Sequence, residues 1–142
     1  MSMNIFRLCG DMSHVFSILV LLLRLRVAKN AAGISLRTHE LFLLVFITRY
    51  TDLFTTYYSL YNSVMKVLYI GSTANIVYAI RATEPICSTY EKSQDTFRHV
   101  EFAILPCLVL ATMTHFLSGE GSGLDLFRNI QEWLWMFSIY LE

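Results

Sequence analysis

With 142 residues the chain is long enough for one ordinary domain. Its make-up of 55% hydrophobic and only 15% charged residues is not that of a soluble domain, which carries about 25% charged residues. Eleven basic residues balance 11 acidic ones, and mean hydropathy is +0.49; this excludes disorder and argues against a nucleic-acid binder held by bulk charge.

A membrane helix needs about 20 mostly apolar residues, and five stretches approach that length. In chain order they are roughly 5–23, 41–60, 67–80, 102–117 and 133–142. The chain reads as a single all-α membrane domain over 1–142. The fifth stretch stops with the chain at half a span, so a truncated C-terminus, artificial or genomic, is expected. The first connection carries Arg24, Arg26, Lys29 and Arg37 against one acid, Glu40. That excess marks it as cytoplasmic and places the N-terminus on the luminal side. The second, 51–66, is a short polar aromatic bend. The third, 81–101, mixes both signs and does not vote. The fourth holds Glu120, Asp125 and Glu132 against Arg128, which suits the luminal side, and its glycine run 119–123 reads as a flexible loop. A secretory signal peptide is the rival reading of Val15–Leu23, but the positive charges follow that block and no small-residue cleavage site comes after it.

Polar residues inside the spans carry the information. Arg7, Asp11 and His14 stand at i, i+4 and i+7, on one helical face. Arg49 and Asp52 fall in the middle of the second stretch. Two charges at a helix centre cost roughly 5–7 kcal/mol, and the ten Leu, Ile, Phe and Val residues from Leu41 to Leu60 return about 3–6. Arg49 and Asp52 are therefore expected to form an ion pair facing a protein interior or a wet cavity. Glu132, Trp135 and Glu142 lie close to a single face of the fifth stretch, and Tyr50, Tyr57, Tyr58 and Tyr61 add hydroxyls to this polar seam.

A structural reading stands beside each of these. Arg7 and Asp11 can snorkel at a membrane end, Arg49 and Asp52 can be a structural pair, and His14 a bridging hydrogen-bond partner. Glu132 can be a solvated acid at a helix start, and Trp133 and Trp135 belt residues. No Gly-x-Ser-x-Gly, His-Glu-x-x-His, phosphate-binding loop or Gly-x-Gly-x-x-Gly is present, so no enzyme is indicated. Cys9, Cys87 and Cys107 form no Cys-x-x-Cys pair and read as free apolar thiols, and His39, His99 and His115 lack metal-ligand spacing. Neither metal nor cofactor is expected.

Taken together, Phe6-Arg7, Gly10-Asp11, Ser13-His14 and Ala32-Gly33-Ile34-Ser35 resemble the start of the KDEL receptors. The match is densest at Arg49-Tyr50-Thr51-Asp52-Leu53-Phe54-Thr55, and continues through Ser59-Leu60-Tyr61-Asn62, Met65-Lys66-Val67, Asp95-Thr96-Phe97-Arg98, Glu101-Phe102, Pro106, Trp135 and Phe137 to Glu142. It covers nearly the whole chain from Met3. The resemblance implies a SWEET-like or PQ-loop-like helical bundle, of which about four and a half of seven transmembrane helices are present, without the cytosolic tail. Segment 82–94, His99 and the glycine run look like additions to the family pattern.

The resemblance also implies a function. Members bind the C-terminal Lys/His-Asp-Glu-Leu signal of endoplasmic reticulum luminal proteins in the Golgi and return them by retrograde vesicles through a coat complex. By resemblance, Arg49 takes the ligand's terminal carboxylate with Tyr50 beside it. Arg7 holds the ligand's glutamate. Glu132 pairs with its basic first residue, and Trp135 adds a cation–π contact. His14 is the expected pH sensor, Glu142 an acid that locks the closed state, and Asp52 an acid tied to transport competence. The implied location is the endoplasmic reticulum and Golgi membranes, with no nucleic-acid partner. Two other readings remain open at this point. One is a SWEET or PQ-loop transporter of a small solute, against which Arg7, Arg49 and Glu132 argue because unpaired buried charge is costly. The other is a non-functional receptor fragment.

Overall fold

In the computed structural model, residues 4–119 and 125–142 are described, and every regular element among them is helical. Five α-helices follow in order: α1 (Ile5–Ala28), α2 (Leu36–Arg49), α3 (Leu60–Ala82), α4 (Leu105–Leu117) and α5 (Leu126–Leu141). Apart from Gly119, the glycine run 119–123 and Glu120 lie outside the described residues.

Local chemistry sets most of the ends. Asn4 opens α1 by accepting the Phe6 N–H at 3.2 Å, and Lys29 closes it at φ 50°, in the left-handed region. Ser35 and Ser59 cap α2 and α3, accepting the N–H of Thr38 and of Asn62, each at 3.2 Å. The expected stretch 41–60 is not one helix: α2 stops at Arg49, tightens into a 3-10 turn over Tyr50–Phe54, and the chain is non-helical until Ser59. A π-helical turn, Val100–Ile104, leads into α4. Pro106, with no N–H to offer the carbonyl of Phe102, sits just beyond it.

Three helical runs are long and apolar enough to cross a membrane: Ile5–Ala28, Leu60–Ala82 and Val100–Leu117. At about 1.5 Å per residue, α2 and α5 fall short of a ~30 Å hydrocarbon core. The molecule is an all-helical, multi-pass membrane bundle. Its order across the layer is α1, α3, α2, α5, α4, each helix packing on the next. In the apolar window of α3, 44% is buried, against 11% in α1 and 6% in the run ending α4; α3 is therefore the most enclosed of the three, and the other two keep the faces a lipid phase would cover. One apolar cluster joins Ile18 and Leu25 of α1 to Met65, Tyr69, Ile76 and Ile80 of α3. A second joins Cys107 and Ala111 of α4 to Phe137 of α5, with Leu44 of α2 against it.

The bundle has two ends. Asn4, the 50–59 connection and the start of α5 share one, where the Gln131 amide donates to Thr55 at 3.2 Å. Lys29–Ser35 and 83–99 share the other, where Asp95 Oδ1 accepts from the Ser35 hydroxyl at 2.8 Å and its Oδ2 accepts the Arg37 N–H at 3.1 Å and the Tyr90 hydroxyl at 2.6 Å.

Candidate functional site

Where α2 breaks into its 3-10 turn, the bundle opens into a cavity of about 1040 Å³. Its wall includes Arg7 from α1, Arg49 from the end of α2, Tyr50 and Asp52 from the turn, Asn62 and Lys66 from α3, and Glu132 and Trp135 from α5. The break in α2 matters here. It lets the backbone turn so that Tyr50 and Asp52 both reach a wall that a continuous helix would present to different neighbours.

Arg7, Asp11 and His14 all face α3, as their common helical face requires. Arg7 Nη2 donates to Asn62 Oδ1 at 3.0 Å. Asp11 accepts from the hydroxyls of Tyr61 and Tyr69, each at 3.0 Å. His14 meets the Tyr69 ring edge-on at 4.8 Å and the Phe46 ring at 5.8 Å, and Phe46 stacks on Tyr50 at 5.7 Å. His14 Nε2 is buried, with no hydrogen-bond partner among the described residues. His14 thus stands one layer behind the cavity wall, linked to it through aromatic rings.

The expected ion pair between Arg49 and Asp52 is not formed. Asp52 Oδ2 instead accepts from Lys66 Nζ at 2.6 Å, and Lys66 also lies 5.4 Å from the Tyr50 ring centre. Arg49 bonds Glu142 through Nη1, and its Nε donates to Ser138 at 3.3 Å. The reason is geometric. Neighbours three apart face each other on an α-helix, and here the helix ends between them. Each charge therefore finds its partner on another helix.

Of the remaining sequence-predicted residues, Glu132 accepts from Arg128 Nε at 2.8 Å one turn away, and Trp135 stands exposed on the wall. Glu142 is not on the wall; it reaches the cavity through Arg49. In the sequence, Lys66 and Asn62 stand out only within the family resemblance, and Tyr69 does not stand out. Asn62, Lys66 and Tyr69 stand at i, i+4 and i+7, the same spacing that singled out α1's polar face, so that signal was present in α3 too. Chemically, the wall offers three guanidiniums (Arg7, Arg49 and Arg128), one ammonium, two carboxylates and several hydroxyls. It suits a zwitterionic or polyacidic ligand with a basic end, and guanidiniums fit carboxylates through their planar fork.

A family model described as ER lumen protein retaining receptor matches residues 30–142. Among curated relatives, an ER lumen protein-retaining receptor of Petunia hybrida and receptor A of Arabidopsis thaliana are each 49% identical over 140 residues, which is 99% of this chain and 60% of theirs. The Drosophila melanogaster receptor is 45% identical over the same share of each. The chain thus spans about 60% of the length of these relatives. Matched over most of its residues by the model and over nearly all of them by these proteins, the chain belongs to the ER lumen protein retaining receptor family.

Proposed function

We propose that the chain is the ligand-binding part of a retrieval receptor, one that takes the C-terminal Lys/His-Asp-Glu-Leu signal of endoplasmic reticulum luminal proteins in the cavity between α1, α2, α3 and α5. The observation that carries this reading is the convergence of Arg7, Arg49, Tyr50, Glu132 and Trp135, from three helices, on one wall. Arg49 receives the terminal carboxylate beside Tyr50. Arg7, already steadied by Asn62, receives the ligand's glutamate. Glu132 exchanges Arg128 for the ligand's basic first residue, over which Trp135 lies. Family membership favours this over a small-solute transporter.

Binding in the mildly acidic Golgi and release in the near-neutral endoplasmic reticulum need a group that titrates between them. Histidine is the side chain whose charge changes in that range, and His14 stands behind Tyr50 through the Phe46 ring. Protonated His14 favours the bound form, so affinity falls as pH rises. Glu142, paired with Arg49, locks the closed state, and Asp52, bound to Lys66, links that closure to cargo return. The N-terminus and the cavity face the lumen, and the basic Lys29 end faces the cytoplasm, where the retrograde coat is recruited.

Glu132 gives the test. Peptides ending Lys-Asp-Glu-Leu and Gln-Asp-Glu-Leu are titrated against the detergent-solubilised chain at mildly acidic pH. The unmodified chain is expected to favour the lysine peptide by about tenfold, the worth of a charge-assisted hydrogen bond. Glu132→Gln removes that preference and leaves the glutamine peptide unaffected. A preference that survives in Glu132→Gln would show that this acid does not read the first residue.

A further inference from the structure

A second cavity, of about 330 Å³, lies at the opposite end of the bundle, between the start of α2, the end of α3 and the connection that follows. It is large enough for a small ligand group. Its charged lining is Arg37, Arg81, Lys92 and Glu40, with His99 at its edge and the Tyr90 ring as a wall. Three formal cations face one carboxylate, and that carboxylate is already engaged. Arg81 bonds it through Nη2, and His99 Nε2 lies 3.9 Å away. Arg37 gives one N–H to the Phe97 carbonyl; its charge also acts on the nearby Asp95 carboxylate, and its other N–H groups remain open to a ligand. Lys92 is exposed and has no ion pair among the described residues. Asp95, the nearby acid, does not line the cavity; Ser35, the Arg37 backbone and Tyr90 saturate it.

We propose that this cavity binds a phosphomonoester, presented by an anionic lipid headgroup at this face of the membrane. The lining itself carries three cations against Glu40, and a dianionic phosphomonoester answers that cationic excess more strongly than the single charge of an ordinary phosphodiester headgroup. The cavity lies at the start of α2 and at the end of α3, whose apolar run is long enough to cross a membrane, and in this proposal that end sits at headgroup level. Basic pockets between membrane helices are a known physical form of headgroup site, and Arg24, Arg26 and Lys29 at the same end raise the local potential for anions. The site lies at the opposite end of the bundle from the peptide cavity and does not depend on what that cavity binds.

The test uses the full chain in a neutral detergent, with short-chain phosphatidylinositol monophosphate, short-chain phosphatidylinositol and inorganic phosphate as probes. The monophosphate is expected to bind, inorganic phosphate to compete with it only weakly, and phosphatidylinositol to bind at least fivefold less tightly. Lys92→Gln weakens the monophosphate by about fivefold, the worth of one lysine near an anionic headgroup, and Lys92→Arg restores it. Lys29→Gln, a neutralisation at the same end but outside the cavity, weakens binding by no more than about twofold, its share of the general surface potential. Equal losses in Lys92→Gln and Lys29→Gln would mean bulk surface charge and overturn the site. Inorganic phosphate binding as tightly as the lipid would overturn the lipid source, and no binding of any probe would overturn the proposal.

Discussion

Lys66 is the least conspicuous charged residue in the sequence and one of the most constrained in the structure. Its ammonium sits in the bundle, 2.6 Å from Asp52 and beside the Tyr50 ring. Removing one partner of such a pair strands the other charge, which costs about 3–5 kcal/mol when both are buried. Asp52 keeps some exposure, so Lys66→Met is expected at the lower end, about 3 kcal/mol. Lys66→Met with Asp52→Leu is expected to recover most of that loss in thermal unfolding. A double variant no better than the single one would mean that the pair is not the source of the penalty. His14 makes a second prediction at this scale. His14→Gln in the peptide-binding assay is expected to flatten the pH dependence; an unchanged profile would remove His14 from the sensor role. These residues differ in legibility. The i, i+4, i+7 face of Arg7, Asp11 and His14 could be read directly, because spacing fixes a face. The partners of Arg49 and Asp52 could not, because Ser138, Glu142 and Lys66 reach them from other helices.

At the scale of elements, the caps and the connection at the Lys29 end hold α2 in place. Ser35 does two jobs: it caps α2 at Thr38 and donates to Asp95. Ser35→Ala is expected to cost about 1–2 kcal/mol, more than an isolated cap, and to speed hydrogen exchange of the first turn of α2. Asp95 adds a pH term. Burial raises its carboxyl, but the hydrogen bonds from Tyr90, the Arg37 N–H and Ser35 outweigh burial and hold it below its ordinary value of 3.8. The Tyr90 hydroxyl is pushed up to about 12, by burial first and then by Asp95. A carboxyl lowered in the folded state stabilises at pH above its unfolded value, and the contribution is lost as pH falls from there through its folded value. Acid protection of this connection in hydrogen exchange is therefore expected to fall below about pH 4, and Asp95→Asn to abolish that acid-dependent step. A step of the same size in Asp95→Asn would assign it to another group. The apolar runs of α1, α3 and α4 were plain in the sequence. The end of α2 was not, since Tyr50–Phe54 offers no glycine or proline, and Leu53 and Phe54 carry the apolar run on past Thr51 and Asp52.

For the molecule as a whole, an order of α1, α3, α2, α5, α4 places one cavity toward the end where α1 begins and another where it ends. Composition and hydropathy alone gave an all-helical membrane protein, because burying 55% hydrophobic residues in a chain this short needs lipid. The order of packing was not readable from periodicity, since the polar face of Arg7, Asp11 and His14 on α1 marks an inward side without naming the helix that covers it. What joined the polar residues into one wall was the place of α3 between α1 and α2 together with the break in α2. The most direct measurement is the affinity of a peptide ending in Lys-Asp-Glu-Leu for the purified chain at mildly acidic pH, with its C-terminus free and with it amidated. Retrieval-signal binding at the Arg7–Arg49 cavity predicts saturable binding of the free acid and a loss of at least tenfold on amidation, the order expected for a carboxylate on an arginine. Equal binding of the two peptides, or none of either, would contradict it.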